Sequence, residues 1–315
     1  MKANVIGGNV SRRAFVAGMA ALPLAEGCRS FGAADASRSV FISDLHVGGA
    51  NPRLDYTHAR LEKVVDEILA LKPKRVVCFG DIALTFGLEE DYAVSRPILK
   101  RIEDAGIAIH FTMGNHDRRS AFFKYWPECL ERPLVPGRCT RVIDLGSADL
   151  VLLDTLKGTD DRARNDMGPV DGTIDAAQLE WFDGFVATAK RPFFVGSHQF
   201  RDLYLDGKDS PLDHAVRNRL FVGWIYGHEH TWLSDLKVAS WKKPVIVPTL
   251  TLPSTGLWGD IGYVTFETHA DGATAELFQD DFYFTTPTSC DPRPAAWDVR
   301  VADNRGQRMR FAYPI

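Results

Sequence analysis

The most constraining feature of this sequence is a repeated order in which a short apolar run leads directly into metal-ligating or proton-carrying side chains. The apolar run 107–111 is followed by the stretch 112–117, Thr-Met-Gly-Asn-His-Asp. Three further clusters follow predicted strands in the same way: Asp44-Leu45-His46, Gly80-Asp81 and Gly227-His228-Glu229-His230. A fold that places these strand ends together would gather imidazole, carboxylate and amide groups in one site.

The first half of the chain predicts parallel strands joined by helices. Apolar residues at helical spacing predict a helix over 56–71, closed by Pro73, and a second over 92–105 that is interrupted near Pro97. Strands alternating with helices favour a doubly wound α/β unit, whose ligands lie beyond the carboxyl ends of its strands. All three clusters of this half fall at such ends.

The second half is richer in predicted strands, and no linker divides the chain. Asp175 has the residue pattern of a helix start, and the helix is expected to run to Ala189. The segments 157–173 and 201–218 are polar and are expected to be irregular. The predicted strands are 141–145, 150–153, 193–195, 220–226, 244–247, 262–266 and 274–278.

Residues 1–36 form a predicted export signal of the twin-arginine type. Ser11-Arg12-Arg13-Ala14-Phe15 precedes the short apolar run 17–25, and small residues follow. We therefore expect export to the periplasm by the twin-arginine machinery. One alternative is a basic N-terminal tail, and another is a lipoprotein anchored through Cys28, although the preceding Ala25-Glu26 fits a lipidation site poorly.

Composition narrows the classes of partner. The net charge of −4 over 315 residues gives no electrostatic reason to expect nucleic acid or an anionic membrane surface as a partner. No apolar run is long enough to predict a transmembrane span. Cys129 and Cys139 flank a loop and could pair in an oxidising compartment, whereas Cys78 lies in an apolar strand as a core thiol.

The donor set of the clusters indicates metal binding. Imidazole, carboxylate and amide groups without thiolate suit zinc, iron or manganese ions, and there are enough ligands for two ions. Asp81, central in the order of the motifs, is the natural shared ligand. Five of the nine histidines belong to the set, which comprises Asp44, His46, Asp81, Asn115, His116, His198, His228 and His230.

Taken together, these motifs, in this order and at this spacing, resemble the calcineurin-like metallophosphoesterase family over about residues 40–278. The resemblance implies a four-layer α/β/β/α sandwich in which two mixed sheets are flanked by helices. It places the phosphoesterase domain at 37–286 and leaves 287–315 as a C-terminal extension.

The resemblance also implies a role for each motif residue. A hydroxide bridging two divalent or trivalent ions would attack phosphorus, His116 would act as general acid, and Asp117 would orient His116. One ion would be held by Asp44, His46, Asp81 and His230. The other would be held by Asp81, Asn115, His198 and His228.

Within the family, the residues after Asn115 are most similar to the bacterial cyclic-nucleotide phosphodiesterase branch, although His198 is followed by Gln199-Phe200 instead of a second histidine and prolines. The resulting hypothesis is an exported hydrolase of small phosphodiesters. The alternatives are a phosphomonoesterase of the same fold and a non-catalytic metal-binding or surface protein. Candidate substrate contacts are Arg118, Arg119 and His214, and Trp232 and Trp258 are candidates to line the pocket.

Overall fold

The computed structural model describes residues 38–49, 55–158, 160–200, 211–238, 246–283 and 295–314. The predicted export signal at 1–36, including Cys28, lies outside these residues. In the described part of the chain, no helix combines the length and the apolar character that crossing a membrane requires.

Twelve strands and six α-helices make up the described fold. The strands are β1 (Arg38–Ile42), β2 (Arg75–Cys78), β3 (Ala108–Phe111), β4 (Arg141–Asp144), β5 (Asp149–Leu152), β6 (Phe193–Ser197), β7 (Phe221–Tyr226), β8 (Leu233–Val238), β9 (Ile246–Thr251), β10 (Gly259–His269), β11 (Gly272–Tyr283) and β12 (Arg308–Ala312). The helices are α1 (Asp55–Leu71), α2 (Glu89–Asp104), α3 (Arg119–Tyr125), α4 (Ala176–Thr188), α5 (Pro211–Arg217) and α6 (Ala295–Asn304), with a 3₁₀ turn at Pro127–Leu130.

The strands form two mixed sheets of six. The first has the order β12-β11-β10-β1-β2-β3, and the second has the order β4-β5-β6-β7-β9-β8. β1, β2 and β3 are parallel, as are β5, β6, β7 and β9, whereas the outer strands run antiparallel. The predicted parallel unit and the two mixed sheets are therefore confirmed.

Alternating side chains along the strands build three apolar layers. In β1, Phe41 faces a core that contains residues of both sheets, while Val40 and Ile42 face the layer formed with α1 and α2. Residues of α4 and α5 cover the outer face of the second sheet. This two-residue alternation is what strands buried on both faces require. The layers are therefore α/β/β/α.

Two helix predictions were wrong. Pro97 lies inside an uninterrupted α2, because Ile98, Leu99 and Ile102 on the same helix pack into the buried layer and outweigh the hydrogen bond lost at proline. The segment expected to be irregular over 201–218 contains α5, whose apolar side chains are buried against the second sheet.

The C-terminal extension takes part in the first sheet. β12 pairs antiparallel with β11 at the sheet edge, and α6 lies between these strands in sequence. Phe311 of β12 belongs to the core between the sheets. This extension thereby carries α6 to the neighbourhood of the ligand loops described next.

Candidate metal centre

The predicted ligands come together where the two sheets meet. Asp44, His46, Asp81 and His230 each place one ligand atom within 4.8 Å of the others, and Asp81, His198 and His228 form a second such group. The loops that carry His46 and Asp81 follow β1 and β2 of the first sheet. The loops that carry His198 and His230 follow β6 and β7 of the second sheet. Asp81 belongs to both groups, as expected for a shared ligand.

Hydrogen bonds within and between the sheets hold these loops in place. The Thr112 hydroxyl, at the end of β3, donates to the carbonyl of Leu153 at the end of β5 (2.6 Å). The Asp44 carboxylate accepts from Ser43 Oγ (2.5 Å) and from the backbone N–H of His228. The ligand loops thus depend on the packing of both sheets.

The ligand loops have an unusual backbone conformation. Asp44, His46, Asp81, His228 and His230 all have positive φ, between 45° and 69°. Together with Trp258, they account for six of the eight non-glycine residues with positive φ in the described part of the chain. This conformation is uncommon for residues with a side chain and concentrates at functional sites.

Backbone carbonyls fix which ring nitrogen of three histidines faces the cluster. Nδ1 of His46 lies 3.0 Å from the oxygen of Leu84, and Nδ1 of His230 lies 2.9 Å from that of Leu257. His198 makes the same kind of contact with Phe79, at 2.7 Å. Because a carbonyl only accepts, each Nδ1 carries the proton and each Nε2 presents a lone pair, the arrangement seen around metal-binding histidines.

These lone pairs converge on one another and on carboxylates. Nε2 of His46 and Nε2 of His230 are 3.2 Å apart, and Nε2 of His230 is 3.1 Å from Asp44 Oδ1. His198 Nε2 is 3.1 Å from Asp81 Oδ2. Acceptors at such distances repel unless a proton or a cation lies between them, so this geometry fits bound metal ions.

The pKa shifts of the clustered histidines and carboxylates also fit a site for metal ions. Burial, followed by the charge of His116, lowers the pKa of His46 to about 3, so this imidazole is neutral at pH 7. Burial is the largest single influence and would raise the pKa of Asp81 and lower that of His198. The surrounding histidines together lower the pKa of Asp81, and Asp81 with Asp44 raises that of His198 to about 9. The two carboxylates thus favour a positive charge at the position of His198 Nε2, which is the charge that a metal ion would bring.

Asn115 passes a separate test as a ligand. The residue is buried, and its Oδ1 has no hydrogen-bond partner among the described residues. A buried amide oxygen without a partner costs free energy, which coordination to a cation would offset. The donor set at the centre thus fits two metal ions with oxygen and nitrogen ligands.

His116 lies at the border of this cluster. Its backbone N–H donates to Asp81 Oδ1 (2.7 Å), its Nε2 is 3.9 Å from Asp81 Oδ2, and its ring centroid is 4.8 Å from that of His46. Its side chain is 12% exposed, whereas that of His46 is fully buried. His116 therefore lies beside the ligands and remains accessible to solvent.

Asp117 does not orient His116, which corrects the role implied by the resemblance. Its carboxylate accepts from the backbone N–H groups of Ile82, Ala83 and Gly114 and from the Tyr92 hydroxyl, at 3.0–3.1 Å. Within the described residues, Nδ1 of His116 has no hydrogen-bond partner. Asp117 instead ties the 112–117 loop to the loop that carries Asp81.

Arg118 and Arg119 are both engaged within the protein, so neither is available as the predicted substrate contact. The Arg118 guanidinium donates to the carbonyls of Phe86, Arg162, Ala163 and Asp166. Arg119 donates to both oxygens of Asp154 and to the carbonyl of Leu156. The two arginines anchor the segment that follows β5.

Of the three other residues that were candidates to contact the substrate or line its pocket, one lies beside the metal ligands and two lie elsewhere. His214 lies on α5, half exposed, and pairs with Asp183 of α4 (3.0 Å), so the described contacts do not bring it to the metal centre. Trp232 is buried in the core between the sheets. Trp258 contacts the rings of His46 and His230, with centroids 5.2 and 5.7 Å away.

The two cysteines that were expected to be able to pair are neighbours. A side-chain hydrogen bond with Cys129, and then burial, raise the pKa of the Cys139 thiol well above its usual range. Both residues line a cavity of about 150 Å³ beside β3. Their pairing as a disulfide stays a prediction.

Comparison with known proteins agrees with this geometry. A family model described as calcineurin-like phosphoesterase matches residues 37–232. No curated protein matches the sequence. Among solved structures, a dimetal phosphatase from Danio rerio is similar with a TM-score of 0.56 at 12% identity, covering 88% of this chain and 98% of that one.

Two further solved structures resemble the chain more distantly. Vps29 of Entamoeba histolytica in complex with zinc is similar with a TM-score of 0.37 at 13% identity, covering 87% of this chain and 98% of that one. The sulfate thiohydrolase SoxB of Thermus thermophilus is similar with a TM-score of 0.42 at 13% identity, covering 73% and 53% respectively.

Proposed function

The chain belongs to the calcineurin-like phosphoesterase family, and from this premise we propose that it hydrolyses small phosphodiesters with two metal ions. The observation that carries the proposal is the pair of ligand groups joined by Asp81. One ion would be held by Asp44, His46, Asp81 and His230, and the other by Asp81, Asn115, His198 and His228. When bound, such ions supply Lewis acidity at the phosphoryl group and a nucleophile at neutral pH.

The residues around the ions would order this chemistry. Asp81 fixes His116 through the backbone N–H of that residue (2.7 Å), and Asp117 fixes the loop on which His116 lies. His116, partly exposed at the border of the cluster, would hold a proton at Nε2 and pass it to the leaving oxygen. The buried ligands would not change protonation state.

The charges of the cleft support a diester in preference to a monoester. A cleft of about 600 Å³ adjoins His228 and His230, which leaves room for a second ester group. Its only basic side chain besides the ligands, among the described residues, is Arg300, which is already paired with Asp260. Arg118 and Arg119 are engaged elsewhere. In the part of the chain that the structure describes, a dianionic monoester would therefore find no additional unpaired cation in this cleft.

The proposal is tested with the purified protein in the presence of manganese. Bis-p-nitrophenyl phosphate is expected to be hydrolysed faster than p-nitrophenyl phosphate. His116→Ala should retain the metal ions yet lower kcat by roughly 10²–10⁴-fold on a diester with a poor leaving group, the usual contribution of a general acid. His269→Ala, at an exposed strand end, is the matched control.

Two outcomes would contradict the proposal at different points. An unchanged rate for His116→Ala with a poor leaving group would exclude the general-acid role. Hydrolysis of neither ester by protein that holds two metal ions would favour the non-catalytic metal-binding alternative.

We also propose that the protein is exported to the periplasm by the twin-arginine machinery. The support is the order of Arg12-Arg13, Phe15 and the apolar run 17–25. Replacing both arginines by lysine should leave the protein in the cytoplasmic fraction. Unchanged periplasmic recovery would exclude this route.

A further inference from the structure

The segment 254–260, Ser-Thr-Gly-Leu-Trp-Gly-Asp, connects two of the ligand loops to each other. It follows β9 and runs into the start of β10. It also lies beyond residue 232, where the match to the family model ends. Its contacts with the metal centre are therefore features of this chain that the family match does not describe.

Thr255 and Gly256 hold the backbone of the loop after β1. The N–H of Thr255 donates to the carbonyl of Ser43 (2.8 Å), and that of Gly256 donates to the carbonyl of Asp44 (3.2 Å). A Cβ at residue 256 would lie 1.7 Å from the carbonyl oxygen of Leu45, so only glycine allows this approach. These bonds and this close approach fix the backbone that carries the ligand Asp44.

The other end of the segment holds the loop after β7. The N–H of Asp260 donates to the carbonyl of His230 (2.8 Å), and the carbonyl of Leu257 accepts from Nδ1 of the same histidine (2.9 Å). A Cβ at Gly259, whose φ is 68°, would lie 1.9 Å from the carbonyl oxygen of His230. The backbone and the ring of His230 are thus held by the same few residues.

The hydroxyl of Ser254 connects these two sets of contacts. Ser254 is fully buried, and its Oγ lies 2.8 Å from the carbonyl oxygen of Asp44 and 2.6 Å from that of Leu257. It also accepts from the N–H of Leu257 (3.0 Å). Since the single hydroxyl proton serves both carbonyls, Ser254 couples the backbone of Asp44 to the carbonyl that orients His230.

Trp258 packs on the rings of two ligands of the same group. Its ring centroid lies 5.2 Å from that of His46 and 5.7 Å from that of His230. Its φ of 62° is rare for a bulky residue, and such a conformation persists where the surroundings over-determine it. Here the hydrogen bonds of Leu257 and Asp260, on either side, hold the indole against the two imidazoles.

All of these contacts go to one of the two ligand groups. Asp44, His46 and His230 belong to the group that is completed by Asp81. Among the described residues, no hydrogen bond or ring contact joins the segment 254–260 to a ligand that belongs only to the other group. The segment therefore supports the two metal positions unequally.

We propose that Ser254 and Trp258 are positioning residues for the ion held by Asp44, His46 and His230, and that they act selectively on this ion. The inference rests on the two-metal centre of the proposed function. Groups that orient metal ligands typically contribute about 10- to 100-fold to metal affinity. Loss of either side chain should therefore weaken one metal position and spare the other.

Calorimetric titration of the metal-free protein with manganese tests this selectivity without turnover, after circular dichroism has shown that each variant is folded. The original protein should bind two ions. Ser254→Ala and Trp258→Ala should each weaken one ion by about 10- to 100-fold and leave the other within a few-fold. Trp258→Phe, which keeps an aromatic ring against the histidines, should retain most of the affinity.

Electron paramagnetic resonance gives a second measurement of the same selectivity. At a manganese concentration that fills both sites of the original protein, Ser254→Ala should hold one ion per chain and lose the signal of two coupled ions. Thr268→Val is the matched control, because it removes a buried hydroxyl that donates to the carbonyl of Leu145 at the far end of β10. This control should leave both affinities and the coupled signal unchanged.

Two outcomes would overturn the inference. Equal weakening of both ions by Ser254→Ala would show a general structural role, and unchanged affinities in both Ser254→Ala and Trp258→Ala would show no role at the metal centre. Neither outcome depends on hydrolysis. If the original protein binds two ions and hydrolyses neither ester, the proposed function fails, and the titration still decides whether the segment supports one ion selectively.

Discussion

Replacing Arg119 by methionine tests whether this residue acts in the scaffold or on the substrate. Its side chain is 11% exposed and donates to Asp154 through Nε (3.0 Å) and Nη2 (2.7 Å). Nη2 also donates to the carbonyl of Leu156 (2.7 Å). Methionine keeps an apolar stem of similar length and removes the charge and the three bonds.

The cost follows from what remains after the substitution. The Asp154 side chain is 0% exposed and, of its hydrogen bonds with described residues, would keep only those from the backbone N–H groups of Cys139 (3.1 Å) and Leu156 (3.2 Å). Removing one partner of a buried ion pair costs about 3–5 kcal/mol, because the other charge is left unpaired. The total free energy of unfolding of a domain is about 5–15 kcal/mol. Arg119→Met should therefore cost a large share of the stability.

Urea unfolding at one fixed manganese concentration measures this cost, since bound metal shifts apparent stability. Arg310→Met is the matched control, because Arg310 pairs with Asp271 where both side chains are more than half exposed. The control should change the free energy of unfolding by no more than about 0.5 kcal/mol. Adding Asp154→Asn to Arg119→Met should recover stability, because the buried charge is then removed.

The same variant also has a kinetic outcome. At a temperature where it remains folded, Arg119→Met should retain kcat/KM for the diester within a few-fold of the original protein. A tenfold or larger loss of kcat/KM with an unfolding free energy within about 0.5 kcal/mol of the original protein would refute the reasoning. Arg119 would then be a substrate contact.

Two further substitutions test the metal centre. Asp81→Asn should lower metal content at both sites, because this residue belongs to both ligand groups; full occupancy by elemental analysis would exclude a shared ligand. Gly227→Ala would place a Cβ 2.8 Å from Asp44 Oδ2 and should weaken manganese binding by about 10- to 100-fold, as loss of ligand support does. Its control is Gly184→Ala in α4, where an added Cβ would meet no atom within 4 Å apart from the neighbouring residues and the backbone of its own helix, and a gain of about 0.5–1 kcal/mol in stability is expected. Unchanged manganese affinity in Gly227→Ala would contradict the steric argument.

The sequence allowed the ligand positions to be predicted because they depend on local order and on one property of parallel sheets. Asp44 and Asp81 follow adjacent parallel strands, so their carboxylates reach the same edge. His198 and His230 follow parallel strands of the other sheet. Only the packing of one sheet on the other was needed to join the two sets, and the resemblance to the family implied that packing.

The roles of the residues next to the ligands depend on distant partners and could not be predicted in this way. Arg119 is 35 residues from Asp154, and His214 is 31 residues from Asp183. Asp117 is drawn to the loop after β2 by N–H groups that nothing in its own sequence neighbourhood reveals. A basic or acidic side chain beside a motif is thus ambiguous until its long-range partners are known.

The metal centre and the core between the sheets form together. The N–H of Thr255 donates to the carbonyl of Ser43 (2.8 Å), and the His228 N–H donates to Asp44, so segments distant in the chain meet only when both sheets have packed. Before packing, the ligands are far apart and cannot bind a shared ion. Metal ions therefore bind the folded state far better than the unfolded chain, and they stabilise it by mass action in proportion to the logarithm of their concentration. In return, the positive-φ conformation of five ligand residues is maintained by the packed sheets rather than by the metal alone. For this reason, a substitution in the core between the sheets should disturb metal affinity even though it contacts no ligand.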